Sequence, residues 1–256
     1  MSNVRFRTAV GTLGMAACLA LAGCSVGVQA PVEGSPEPVN TSFDFFAAAS
    51  LTDVAPELIR EYNATHDPDI DASLNFGASS KLVTQINGGE RPGMLVTADT
   101  KAITTLERPD EFSREKDIAT NHLVLVVPSD SKITTAEELV TAGSIAVCAP
   151  AVPCGRAANS YLDTRQDVNA QFTEEADVRS VLTKVTSGQV DAGFVYATDA
   201  ASAGDTVRSI ALTGVEPNVY PLLVNKDASS AVSDFAQWLH TDGAQAILKK
   251  AGFDTP

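Results

Sequence analysis

Phe43-Asp-Phe-Phe-Ala-Ala-Ala-Ser-Leu-Thr52 is the stretch on which the reading of the chain turns. An apolar run of strand character passes into three alanines and then a hydroxyl pair, the pattern of a strand feeding the start of a helix. The first turn of a helix carries backbone N–H groups without intrahelical partners, and with the helix dipole they form a ready site for an anion. Ser50 sits where its hydroxyl joins them. The same residues serve as a plain helix cap through Ser50, Thr52 or Asp53, so the stretch alone leaves both readings open.

Toward the N-terminus, Arg5 and Arg7 precede an almost uninterrupted small and apolar run from Ala9 to Ala22. That run falls short of the roughly 20 residues a membrane-spanning helix needs, so residues 1–23 read as a signal peptide. It closes in Leu21-Ala22-Gly23-Cys24, which resembles the bacterial lipoprotein box and implies cleavage before Cys24 and lipid on its sulfur. An ordinary secretory signal with an incidental cysteine is the alternative, and either way the chain is exported. Residues 24–42, built of Gly, Pro, Ser and Glu with few large apolar side chains, read as a flexible tether. Phe43 to Pro256 is then long enough for one large or two small domains.

The whole chain carries 18 basic and 32 acidic residues. Loss of the signal removes two arginines and no acid, leaving a net charge of −16. This excludes nucleic acid and an anionic membrane surface as expected partners, and it makes any anion site a local arrangement against a repelling field. Of four cysteines, Cys18 leaves with the signal and Cys24 is the lipidation candidate. Cys148 and Cys154 remain as a disulfide candidate in an oxidising compartment, with two free thiols as the alternative. Two cysteines without a nearby histidine or third cysteine do not fill a zinc site. His66, His122 and His240 are scattered and carry no metal spacing.

Beyond the opening strand, apolar residues recur at helical spacing through Val54, Leu58, Ile59 and Tyr62, and Ile70 to Phe76 alternates as a strand. Helix signals around Leu82 to Ile86, strands at Met94–Thr97, His122–Val127, Ser144–Cys148 and Ala192–Tyr196, and helices from Gly155 and Asp177 continue the alternation. Thr134 with Glu137 reads as a capping box, and Thr198-Asp199 as a helix cap. Val219 to Val224 reads as a further strand that crosses between lobes, followed by two terminal helices. Strands alternating with helices argue an α/β fold with mostly parallel sheets. In such sheets, ligands bind beyond the carboxyl ends of the strands. The turns there hold Ala49-Ser50, Ala78-Ser79-Ser80, Pro153-Cys154-Gly155 and Val195-Tyr196, with a helix start at Asp177-Val178. They offer backbone N–H groups and hydroxyls, and Arg156 and Arg179 lie just past two of them.

In order along the chain, Phe46-Ala-Ala-Ala-Ser-Leu-Thr52, Phe76-Gly-Ala-Ser-Ser80, Val152-Pro-Cys-Gly155, Ala176-Asp-Val-Arg179 and Gly193-Phe-Val-Tyr-Ala-Thr-Asp199 resemble the successive motifs of ModA-type periplasmic molybdate-binding proteins. The resemblance implies a two-lobed type II periplasmic-binding-protein fold, each lobe a mostly parallel sheet flanked by helices, joined by two crossing strands. It implies capture of molybdate or tungstate and delivery to the permease of an ABC importer. By motif, the oxyanion is held by Ser50 and Ser79 through hydroxyl and backbone N–H, by the backbone N–H of Cys154 and Val178, and by the Tyr196 hydroxyl. No cofactor and no enzymatic activity are implied. Cys154 stands where the family commonly has alanine, and Gly93 where aspartate is usual before the third strand.

A cage of donors suits a fully deprotonated tetrahedral dianion and disfavours phosphate, which near neutral pH keeps a proton in need of an acceptor. Only cavity size excludes sulfate. Asp177, Asp191 and Asp199 lie near the motifs and read as caps of helices and turns. A secreted serine hydrolase using Ser50 or Ser79 is the rival from another class, but Phe76-Gly-Ala-Ser-Ser80 lacks the second glycine of a nucleophile elbow. The expected lobes are 43–122 plus 222–256 and 123–221, in a monomer held at the extracytoplasmic face of the membrane by lipid on Cys24.

Overall fold

Apolar runs bounded by small residues become strands, and the amphipathic stretches between them become the helices that cover the sheets. The computed structural model describes residues 41–256; the signal peptide, Cys24 and nearly all of the tether lie outside the described residues. β1 (Ser42–Ala48) ends in a 3₁₀ turn at Ala49–Leu51 and is followed by α1 (Ala55–Thr65), β2 (Asp71–Gly77), α2 (Ser79–Asn87), β3 (Met94–Val96) and α3 (Thr100–Ile103). β4 (Phe112–Asn121) and β5 (Leu123–Pro128) follow with only His122 between them. Next come β6 (Ser144–Cys148), α4 (Pro153–Leu162), β7 (Gln171–Glu175), α5 (Val178–Thr186), β8 (Ala192–Tyr196), α6 (Ala197–Ser202) and β9 (Val207–Ala211). β10 (Asn218–Asn225), α7 (Ser230–Trp238) and α8 (Asp242–Lys250) complete the chain.

The strands form two five-stranded sheets, β2-β1-β3-β10-β4 and β7-β6-β8-β5-β9, one per lobe. β1 runs parallel to β2 and β3, and β6 parallel to β7 and β8. β10 is antiparallel to β3 and β4, and β5 antiparallel to β8 and β9. Each sheet is therefore half parallel and half antiparallel rather than mostly parallel. The antiparallel pairings all involve β10 or β5, the first strand the chain makes after passing into a sheet from the other lobe. β10 pairs within the first sheet along its whole length, so sheet pairing draws the return at residue 218 rather than 222, and the connection back is the irregular stretch 212–217. Pro221 cannot donate to a ladder, and the β10–β4 register shifts on both sides of it.

Two capping expectations change in detail. The stretch after Thr134 is a short 3₁₀ helix, Glu137–Thr141, and the carboxylate that accepts from Thr134 N (2.7 Å) is that of Glu138, not Glu137. At the start of α6 the capping position is Tyr196, whose backbone N–H is taken by Asp199, the third residue of the helix, because the strand delivers the chain directly into the helix.

Small residues set how closely helices approach the sheets. A Cβ on Gly93 would lie 2.9 Å from Phe43 Cβ, so an aspartate there does not fit against β1 as it stands. A Cβ on Gly193 would lie 2.8 Å from both Val181 Cγ1 and Val185 Cγ2, because α5 packs directly on β8. Gly193→Ala is expected to destabilise the protein by about 1–3 kcal/mol through overpacking. Thermal unfolding reads this as a lower midpoint; an unchanged midpoint would show that α5 has room to shift.

Candidate functional site

Where a parallel strand ends directly in a helix, the first-turn N–H groups of that helix face the space beyond the sheet edge. Here α2 and α5 begin with one and two residues between them and β2 and β7, α4 begins after the four-residue loop 149–152, and together with the 3₁₀ turn after β1 these helix starts line one cavity. Ser50, Ser79 and Ala98 line it from the first lobe, and Cys154, Val178 and Tyr196 from the second.

All five ligand residues expected from sequence therefore meet at one place, although Ser50 arrives differently. It lies in the 3₁₀ turn, whereas α1 starts only at Ala55 behind Val54, which makes no side-chain cap. Thr52 Oγ1 donates to Ala49 O at 2.6 Å, and Asp53 pairs with Arg179, so none of the three candidate caps serves α1. Ser50 Oγ instead lies 2.8 Å from Tyr220 Oη. Ser79 opens α2, and its Oγ accepts from Ala98 N at 2.9 Å, which leaves the hydroxyl proton for the cavity. Cys154 and Val178 occupy the first turns of α4 and α5, where helix geometry gives their N–H groups no intrahelical acceptor.

Tyr196 is fully buried, and its Oη has no hydrogen-bond partner among the described residues. Burial pushes the phenol pKa well above its ordinary value, so it stands as a neutral O–H donor. A buried polar atom without a partner costs roughly 1–3 kcal/mol, which a ligand acceptor would recover.

Cys148 and Cys154 are bonded, tying the end of β6 to the first turn of α4. Between them the loop doubles back so tightly that a Cβ on Gly155 would collide with the carbonyl groups of Cys148 and Ala149.

Among the described residues, the only charged side chain at the cavity wall is Asp177, and its Oδ1 accepts from Ser180 N at 2.9 Å as the cap of α5. Asp191 instead accepts from Gly143 N and Ser144 N at 2.8 and 2.9 Å at the start of β6, and Asp199, inside the first turn of α6, accepts from Tyr196 N at 3.3 Å, so only Asp177 is the helix cap the sequence suggested. Arg156 and Arg179 bridge the lobes rather than lining the cavity. Arg156 Nε donates to Asp99 Oδ2 at 3.1 Å, and Arg179 Nη1 reaches Asp53 Oδ2 at 2.9 Å and Asp199 Oδ1 at 3.3 Å. Sequence reasoning missed Tyr220, Asn121 and Asp99, which reach the site or its lobe contacts only through the fold.

A cleft between two α/β lobes, walled by helix N-termini and neutral hydroxyls, is the build of a two-lobed solute-binding protein. The chain belongs to the bacterial extracellular solute-binding protein family, whose pattern matches residues 43–254. It is 30% identical to the molybdate-binding protein ModA of Mycobacterium bovis, over 92% of this chain and 93% of that one. The periplasmic molybdate-binding protein of Azotobacter vinelandii shares its fold with a TM-score of 0.72 at 20% identity, over 83% of this chain and 99% of that one. The sulfate-binding protein SubI of Mycobacterium tuberculosis does so equally, with a TM-score of 0.72 at 16% identity over 84% and 87%.

Asp199 lies beneath this site with no solvent exposure, and burial, outweighing Arg179, pushes its carboxyl up to about 7 from an ordinary 3.8. Between those values the folded protein holds a proton that the unfolded chain releases, so this contribution to stability is present below about pH 4 and is lost as pH rises through 7. Asp199→Asn keeps an acceptor for Tyr196 N and removes the titration. Wild-type stability is expected to fall relative to that variant between pH 5 and pH 8 in denaturant unfolding; parallel curves across that range would refute it.

Proposed function

We propose that the protein captures molybdate, and tungstate with it, in the interlobe cavity and delivers it to the permease of an ABC importer. The observation that carries the reading is the buried Tyr196 hydroxyl without a partner, set at a cavity otherwise walled by first-turn N–H groups and two serines. Ser50 and Ser79 hold the ion through hydroxyl and backbone N–H, Cys154 and Val178 through backbone N–H, and Tyr196 through its hydroxyl. Neutral donors and helix dipoles stabilise a dianion in a dry site without a counter-cation, and their rigidity avoids the reorganisation that mobile lysines would need. Protonated phosphate is disfavoured because its O–H meets a wall of donors.

The family, and a relative named for molybdate binding at 30% identity over nearly the whole chain, support the same ligand. The fold likeness alone is shared with a sulfate-binding protein, so sulfate is the competing ion. The hydrolase alternative lacks a base: none of the three histidines lines the cavity. Lipid on Cys24 keeps a monomeric receptor at the outer face of the membrane, and closure about His122 and the stretch 212–217 traps the ion.

Calorimetric titration with molybdate, tungstate, sulfate and phosphate tests the ligand. Molybdate and tungstate are expected to bind tightly, sulfate more weakly and phosphate least. Tyr196→Phe is expected to weaken molybdate binding by about tenfold to a hundredfold, the scale of one hydrogen bond to a charged group. Sulfate binding tighter than molybdate would change the ion, and ester hydrolysis lost in Ser50→Ala would change the class of protein.

A further inference from the structure

A chain of hydrogen bonds with one sense of direction runs from the interlobe crossing to the cavity. It begins at His122, whose backbone N–H donates to Asn121 Oδ1 at 2.9 Å. A backbone N–H only donates, so this contact fixes which end of the Asn121 amide is oxygen and turns its NH₂ toward the interior. There Asn121 Nδ2 donates to Thr198 Oγ1 at 2.8 Å, in the second lobe, and to Tyr220 Oη at 3.3 Å. Asn121 and Tyr220 have no solvent exposure. The Tyr220 phenol, held neutral by burial, has one proton, and its oxygen already accepts from Asn121. Its remaining partner is Ser50 Oγ at 2.8 Å, so Tyr220 donates to Ser50. Among the described residues Ser50 Oγ has no other hydrogen-bond partner, which leaves its own proton for the cavity.

We infer that Tyr220, oriented by Asn121, is a positioning residue that commits the Ser50 hydroxyl to donate into the cavity and thereby favours fully deprotonated oxyanions over protonated ones. This rests on the oxyanion reading of the site and deepens it. Without the phenol, Ser50 turns freely and spends part of its time presenting a lone pair to the cavity. A deprotonated dianion then loses an aligned donor, whereas hydrogen phosphate gains an acceptor for its proton. The Tyr220 ring itself packs edge-on against Phe253, with centroids 5.3 Å apart, and this packing survives replacement by phenylalanine.

A double-mutant cycle separates this role from a structural one. Molybdate and phosphate affinities are measured by calorimetry for wild type, Tyr220→Phe, Ser50→Ala and the double variant, with apo melting to verify folding. Tyr220→Phe is expected to weaken molybdate about tenfold when Ser50 is present and less than twofold when it is alanine, and to narrow the preference for molybdate over phosphate. Equal losses in both backgrounds, or a folded Tyr220→Phe with unchanged affinity and preference, would overturn the inference. Asn121→Ala, which removes the donor to Tyr220, is expected to show the same dependence on Ser50 and carries the test if Tyr220→Phe does not fold. A wild-type protein that binds none of molybdate, tungstate or sulfate would overturn the functional reading and the inference together; a binding wild type with an additive cycle would overturn the inference alone.

Discussion

A chain with 18 basic and 32 acidic residues can hold an anion only where the local field reverses the global one. The starts of helices supply such a field, because their N–H groups are fixed donors and their dipoles point the right way. They supply it only if the turn that follows each strand brings the helix start back to the sheet edge. Much of the architecture follows from that constraint. Gly155 lets the loop after β6 fold back on its own carbonyl groups, and the Cys148–Cys154 bond anchors that loop to the first turn of α4.

The arginines are kept out of the cavity and put to a different use. Arg156 and Arg179 each reach an aspartate of the opposite lobe, so these charged contacts hold the two lobes together and leave the cavity wall to hydroxyls, backbone groups and the capping Asp177. These pairs are partly exposed, and their strength is correspondingly screened by solvent and salt. Asp199 is the exception: buried beneath Tyr196 and shared with Arg179, it links the state of one interlobe contact to the floor of the site.

Strands packed inside the sheets were legible from their apolar runs. β4, β7 and β9 were not, and each lies at a sheet edge. β2 is an edge strand too and alternates clearly enough to be read, whereas β7, Gln171–Glu175, has no fully buried residue, so no hydrophobic periodicity marks it. The same limit explains Ser50. Its stretch reads as a strand entering a helix, yet a 3₁₀ turn intervenes, because local pattern does not distinguish a tight turn from a first helical turn.

By itself the sequence determined the α/β alternation, the small and hydroxyl residues at the strand ends and the family, because these depend on residue type at short spacing. Tertiary structure decided that five such turns line one cavity, and that β10 returns wholly to the first sheet. It also decided that Tyr220 and Asn121, 170 and 71 residues along the chain from Ser50, orient its hydroxyl. Hydrogen bonds across such separations leave no local signature: the partner is selected by where the sheets bring it, and a buried tyrosine in a strand reads as core until its hydroxyl is seen to have a neighbour.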